Sequence, residues 1–307
     1  MHLPDGFISV PVAVSTGILS GGVLWVSLQK SSSTYGSRHA VVLGLTTAFI
    51  FAAQMINFPI LGGTSGHLLG GGLAGALLGN PWSAILSITT VLIIQSVLFA
   101  DGGITALGAN ILTMGIVSVS LAWVLSRTLL ALFGGSKKYL PIACGIGAAI
   151  SVLGTSLTCA ILLALSGISK ASIVIPSMAG IHLFIGIGEG IITGSILAYL
   201  VKVRPDLLPG EEEKFKGFFV PIVIILLVAG ILSLFASALP DGLESVAYDL
   251  GFINLSVDSN NVVHSPFSKY EINGLGQVGR STAGLLGALI CFGFAYGIAK
   301  LVKDKNA

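Results

Sequence analysis

The chain opens Met1-His2-Leu3-Pro4-Asp5-Gly6-Phe7. A free α-amine followed directly by a histidine is a chelator: the amine, the His2 amide nitrogen and His2 Nδ1 close fused five- and six-membered rings around one ion. With the amide deprotonated the three nitrogens share a plane, which suits Ni(II) or Cu(II) and leaves one corner for another ligand. A second, in-plane histidine would complete the square. The dipeptide alone is equally compatible with an ordinary membrane-protein terminus, so the elements that position it decide its meaning.

Of the 307 residues, 54 % are hydrophobic and 9 % charged, and the mean hydropathy is +0.96. A soluble domain carries roughly 25 % charged residues, so this is an integral membrane protein. The net charge of +2 argues against a nucleic-acid partner. The opening lacks the basic n-region and small-residue cleavage site of a signal peptide, so Met1 is expected to remain the mature N-terminus. Apolar runs of membrane-crossing length lie near 8–28, 40–60, 82–100, 104–133, 139–165, 172–202, 218–239 and 281–302. The Gly-rich stretch 66–79 is too short to assign by hydropathy, and the basic residues assign it. If it crosses and the N-terminus is outside, Lys30, Arg38, Arg127, Lys137, Lys138, Lys202, Arg204, Lys214, Lys216, Lys300, Lys303 and Lys305 fall inside, and only Lys170, Lys269 and Arg280 outside. The positive-inside rule therefore predicts an all-α polytopic bundle of about nine transmembrane helices with its N-terminus outside.

That topology puts Met1, His2, the turn Gly62-Gly63-Thr64-Ser65-Gly66-His67, Asp101 and the 240–280 segment on one outer face. Pro4-Asp5-Gly6 is a turn sequence able to fold the first residues back onto the helices, where His67 could meet them. Asp101 reads either as a helix cap or as a site residue. His182 and Glu189 lie two turns apart on one helix face, placed for a polar network beneath the site or a buried structural pair. Asn57 and Asn110 could hydrogen-bond the outer loops, whereas Gln54 and Gln95 fit helix–helix contacts. His39 reads as an inner-loop residue and His264 as an outer-loop one. Cys144, Cys159 and Cys291 lie in apolar runs without Cys-x-x-Cys spacing, which argues against a thiolate site or disulfide framework.

Four motifs in chain order, Met1-His2-Leu3-Pro4-Asp5-Gly6-Phe7, Gly63-Thr64-Ser65-Gly66-His67-Leu68, Phe99 to Asn110 and His182-x6-Glu189-Gly190, resemble the cobalt/nickel CbiM/NikM family over residues 1–205. These are substrate-binding S components of energy-coupling factor (ECF) transporters. Pro240-Asp241-Gly242-Leu243-Glu244 resembles the PDGLE/NikN component fused behind them. The resemblance implies a metal held by Met1, His2 and His67, with Ser65, Asp101, His182 and Glu189 as candidate supporting residues. It implies Ni(II) or Co(II) as cargo, no catalytic cofactor, and a T component and cytosolic ATPases as partners in a bacterial or archaeal cell membrane.

The residues agree that energy comes from elsewhere. No Gly-Lys dipeptide occurs in the chain, hence no Gly-x4-Gly-Lys-Ser/Thr phosphate loop, and only Glu189 sits well inside a span, which is no proton relay. The chain is therefore expected to be a transporter subunit and not an enzyme. A self-sufficient secondary transporter or channel for divalent cations is the alternative. The expected organisation is a seven-span metal-binding part (1–205), a charged cytoplasmic linker (206–217) and a two-span appendage (218–307) with an outer loop at 240–280. All expected ligands lie upstream of that linker, so metal binding is expected to survive its removal.

Overall fold

The computed structural model describes residues 1–32, 37–210, 217–258, 264–272 and 274–304. Most of the expected linker charges, at 211–216, lie outside these residues. In chain order the main elements are helices α1 (Val10–Ser32) and α2 (Ser37–Gln54), strands β1 (Phe58–Ile60) and β2 (Thr64–Gly66), and helices α3 (Gly71–Leu78), α4 (Pro81–Leu98) and α5 (Leu107–Leu132). There follow α6 (Leu140–Leu165), α7 (Ala171–Val203), α8 (Phe219–Gly230), α9 (Gly242–Asp249) and α10 (Gly276–Asp304).

Among the described residues six helices are long and apolar enough to cross a membrane, namely α1, α4, α5, α6, α7 and α10. Three expected spans differ from their sequence reading; the one at 218–239 is α-helical only over Phe219–Gly230, too short to count among the six. The run at 40–60 stops being helical at Gln54 and continues into an antiparallel hairpin that pairs Ile60 with Thr64. Its turn holds Gly62 and Gly63 at φ of 90° and 76°, backbone that glycine adopts freely. The stretch 66–79 is helical only over the eight residues of α3, about 12 Å at 1.5 Å per residue. The run that carries His67 between β2 and α3 is neither helix nor strand, with Gly70 at φ 83°, which leaves its N–H groups to be captured by side chains.

Glycine sets how closely the long helices meet. On α6 and α7, a Cβ at Gly145 would lie 2.8 Å from the carbonyl oxygen of Gly190, and one at Gly190 would lie 2.7 Å from that of Gly145. Backbone therefore packs on backbone, as in small-residue membrane interfaces. α10 packs along α2 and against α8, so the C-terminal part is seated on the first part of the chain. α5 contains a π-helical stretch, Ile111–Val117, directly after Asn110. Such widened turns commonly mark functional positions, and here Asn110 faces the N-terminus.

Candidate metal centre

The first seven residues are folded into the molecule. Met1 is 4 % exposed, Leu3 0 % and Phe7 1 %. Leu3 and Phe7 are anchors whose burial each stabilises by about 1.5–3 kcal/mol, and Phe7 meets Phe252 edge-on at 5.2 Å. The Asp5 carboxylate accepts from the Ile104 and Thr105 amides at 3.2 and 2.8 Å and from the Thr105 hydroxyl. The Gly103 amide donates to Leu3 O at 2.8 Å. The segment lies so close to Gly103 that a Cβ there would be 2.3 Å from the Asp5 nitrogen. Pro-Asp-Gly thus fixes the turn, as its sequence predicts, and the loop at 100–105 is its cradle.

Held this way, the α-amine of Met1 is 2.8 Å from Nε2 of His67. The His67 Nδ1 lies 3.1 Å from Leu68 O; donating that N–H leaves the Nε2 lone pair aimed at the amine. The rings of His2 and His67 stack at 5.1 Å. Nε2 of His2 is 3.0 Å from Gln95 Oε1, and Nδ1 is 3.2 Å from Asp101 Oδ1. With Nε2–H donated to Gln95, Nδ1 presents a lone pair beside a carboxylate oxygen, a juxtaposition that a cation reconciles. Burial, foremost, and the neighbouring amine hold the His2 imidazole below its usual pKa against the opposing pull of Asp101. The ring is therefore a neutral donor near pH 7.

The remaining expected residues fall into place around these nitrogens. Glu189 is 1 % exposed and reaches no histidine. Its carboxylate accepts from the Leu69 and Gly70 amides at 2.6 and 2.9 Å, pinning the non-helical run behind His67. His182 Nδ1 is 2.8 Å from Met178 O, while Nε2 is buried without a hydrogen-bond partner and faces Gly242. Ser65 donates its hydroxyl to Leu239 O at 2.8 Å and its amide to Pro240 O at 2.9 Å. Asp101 is not a helix cap: it follows Ala100 at φ 52° and bridges His2 to the Tyr270 hydroxyl. His39 belongs to α2, 3.4 Å from Ser83 Oγ, instead of a loop. His264 is exposed, and the three cysteines are buried.

Sequence reasoning passed over Asp241. Its Oδ2 lies 2.5 Å from the Met1 amine, and its Oδ1 accepts from the Leu243 and Glu244 amides at the start of α9. Burial would raise its pKa, but the amine and His67 more than offset this and hold it below the usual carboxylate range. The clue available was repetition, since Pro-Asp-Gly occurs at 4–6 and again at 240–242. A cavity of about 580 Å3 opens over the centre, lined among others by His2, His67, Asp101, Asp241, Glu244 and Tyr270. Among the described residues no three His, Cys, Asp or Glu side chains gather to hold an ion.

Fold and centre together define a multi-pass membrane protein that buries its own first residues against a loop histidine. Comparison with known proteins places it further. Residues 2–207 match the family described as CbiM, cobalt uptake substrate-specific transmembrane region, and residues 216–304 match the PDGLE domain. The chain belongs to the CbiM family, with a PDGLE domain following.

It is 33 % identical over 313 residues to a putative fused nickel transport protein NikMN of Archaeoglobus fulgidus, covering 99 % of both chains. It is 34 % identical over 225 residues to the fused nickel transport protein NikMN of Rhodobacter capsulatus, covering 68 % of this chain and 64 % of that one. A crystal structure of a truncated transition metal transporter superposes with a TM-score of 0.60 at 32 % identity, over 66 % of this chain and 99 % of that one.

Proposed function

We propose that this chain is the S component of an ECF-type importer that captures Ni(II), with Co(II) as the rival cargo, and delivers it inward when coupled to partners. One observation carries the reading: the Met1 amine stands 2.8 Å from His67 Nε2, with His2 beside both. Two nitrogens at right angles on one ion, with bonds of about 2.0 Å, are about 2.8 Å apart. The spacing thus suits neighbouring corners of a square, the His2 amide and Nδ1 supplying the other two.

Four in-plane nitrogens, one a deprotonated amide, favour low-spin Ni(II) over Co(II), while Cu(II) would bind as well or better on intrinsic affinity. The charges also suit a divalent cargo. The ammonium with Asp241 and Asp101 carries one net negative charge. Replacing the ammonium and amide protons by one divalent ion keeps that charge unchanged.

The nine-crossing topology with an outer N-terminus belongs to the same reading. Gly66 packs on Ile185 and Gly79 on Pro209, while Ile185 to Val203 of α7 measures about 27 Å of helix. Such a path supports 66–79 as a crossing that is part irregular and part helical. In this reading residues 1–205 bind the cargo, 206–217 link, and 218–307 carry the PDGLE loop over the centre. A T component and cytosolic ATPases supply the energy that the chain has no phosphate loop to harvest.

Uptake into vesicles with and without those ATPases tests the assignment. Accumulation only with ATP-competent partners is expected, and ATP-independent uptake by this chain alone would establish the secondary-transporter alternative. A yellow-orange, EPR-silent Ni(II) complex is the expected ground state. A paramagnetic six-coordinate spectrum would refute the square-planar chelate.

A further inference from the structure

Asp241 stands apart from the expected ligands because it comes from the PDGLE segment and yet touches Met1. Three sets of contacts aim it there. From below, the Thr64 hydroxyl and the Ser65 amide donate to Pro240 O at 3.0 and 2.9 Å, and the Ser65 hydroxyl donates to Leu239 O at 2.8 Å. From the side, Gly242 sits so tightly on α7 that a Cβ would lie 2.9 Å from His182 Cε1 and 2.7 Å from Ile185 Cδ1. Along the chain, a capping box joins Asp241 to Glu244: Oδ1 accepts from the Leu243 and Glu244 amides, and the Asp241 amide donates to Glu244 Oε2 at 3.0 Å. With Oδ1 committed to the helix, Oδ2 can point only at the amine, 2.5 Å away.

We propose that Asp241 is a positioning residue of the metal centre, holding the Met1 amine opposite His67 Nε2 from the far side of the fusion, so that the PDGLE segment is part of the binding site. The inference rests on the chelate reading above and deepens it. An amine bound to a metal through its lone pair still carries N–H donors, so Oδ2 keeps its partner when the ion is held. Ligands oriented by such outer acceptors typically lose about 10–100-fold in metal affinity when the acceptor is removed. The expectation that binding is confined to residues upstream of the linker gives way accordingly.

Asp241→Asn is the informative variant, because asparagine caps a helix as well as aspartate does while surrendering the charge. In the full-length protein, titrated with Ni(II) against a competing chelator, it is expected to bind about 10–100-fold more weakly and, at saturation, to displace the Ni(II) visible absorption band. Tyr248→Gly weakens α9 through glycine's low helix propensity at an exposed position away from the amine, and is expected to keep parental affinity and the parental band. His67→Ala in the same titration separates the two levels of the argument. If His67→Ala loses affinity and Asp241→Asn does not, the positioning role is overturned while the chelate stands. If neither loses affinity, the chelate itself falls. Equal losses in Asp241→Asn and Tyr248→Gly would assign the effect to α9 and overturn the proposal.

Discussion

Asn110 grips Leu3 with both ends of its side-chain amide: Oδ1 accepts from the Leu3 amide at 2.8 Å, and Nδ2 donates to the Leu3 carbonyl at 3.0 Å. The pair imitates one rung of a β-ladder, made by a side chain at the mouth of the π-helical stretch of α5. It fixes the backbone immediately after His2. The Leu3 amide is thereby satisfied.

Asn110→Leu keeps the branching at Cγ but removes both hydrogen bonds inside a buried site. The orphaned Leu3 amide costs about 1–3 kcal/mol, while the Leu3 carbonyl keeps the Gly103 amide, so the N-terminal segment should loosen without loss of the helical bundle. Unchanged circular dichroism with at least tenfold weaker Ni(II) retention is the expected outcome. Gly103→Ala should do the same by a steric route, since its Cβ would lie 2.3 Å from Asp5 N and 2.7 Å from Pro4 C. Backbone on that side has no rotamer with which to yield. Full retention in both variants would mean that the fold of the N-terminal segment is irrelevant to binding.

His67→Ala should leave the amine, the His2 amide and His2 Nδ1 with water in the fourth corner, and weaken Ni(II) retention by about an order of magnitude or more, the range for metal-site substitutions. Glu189→Gln should be milder. Glutamine keeps one acceptor for the Leu69 or Gly70 amide and gives up the other, so His67 moves without being removed. Competition titrations of the two variants side by side check the order. Equal loss would recast Glu189 as a ligand.

Binding should release two protons per Ni(II), one from the ammonium and one from the His2 amide. His2 contributes none, because burial already holds its pKa below the ordinary value. The sign follows: falling pH weakens binding, since protons compete for the same nitrogens. While the amine is an ammonium and His2 is neutral, the logarithm of affinity should rise with pH at a slope of about two. Calorimetry in buffers of different ionisation enthalpy measures the count directly. One proton or fewer would show that the amide nitrogen is not a ligand.

The helices were legible in the sequence because a bilayer leaves a coarse signal: α4, α6 and α7 run within a few residues of their apolar stretches. The sequence also singled out Met1, His2 and His67, because an amine followed by a histidine is a local pattern and the Gly-rich turn before His67 allows a close approach, and the structure brings the three together. Other features depend on contacts that no periodicity encodes. The hairpin at 58–66 interrupts an apolar run that reads as continuous helix, and only the φ values of Gly62 and Gly63 explain it. Asp101 resembled a cap until His2 Nδ1 arrived beside it from 99 positions away. Asp241 lay beyond a charged linker, where neither spacing nor composition ties it to Met1.

The most direct test uses the one group that side-chain substitution cannot remove. Adding a single residue ahead of Met1 turns its amine into an amide and shifts His2 to third position. It also forces new chain into the gap bounded by His67 Nε2 at 2.8 Å and Asp241 Oδ2 at 2.5 Å. Metal retention by the verified, uncleaved extended protein should be compared with that of the same chain tagged after Ala307. The account predicts that the extended protein loses Ni(II) retention and transport while the C-terminally tagged protein keeps both, at equal expression and detergent stability. Full Ni(II) retention by the extended protein would contradict it.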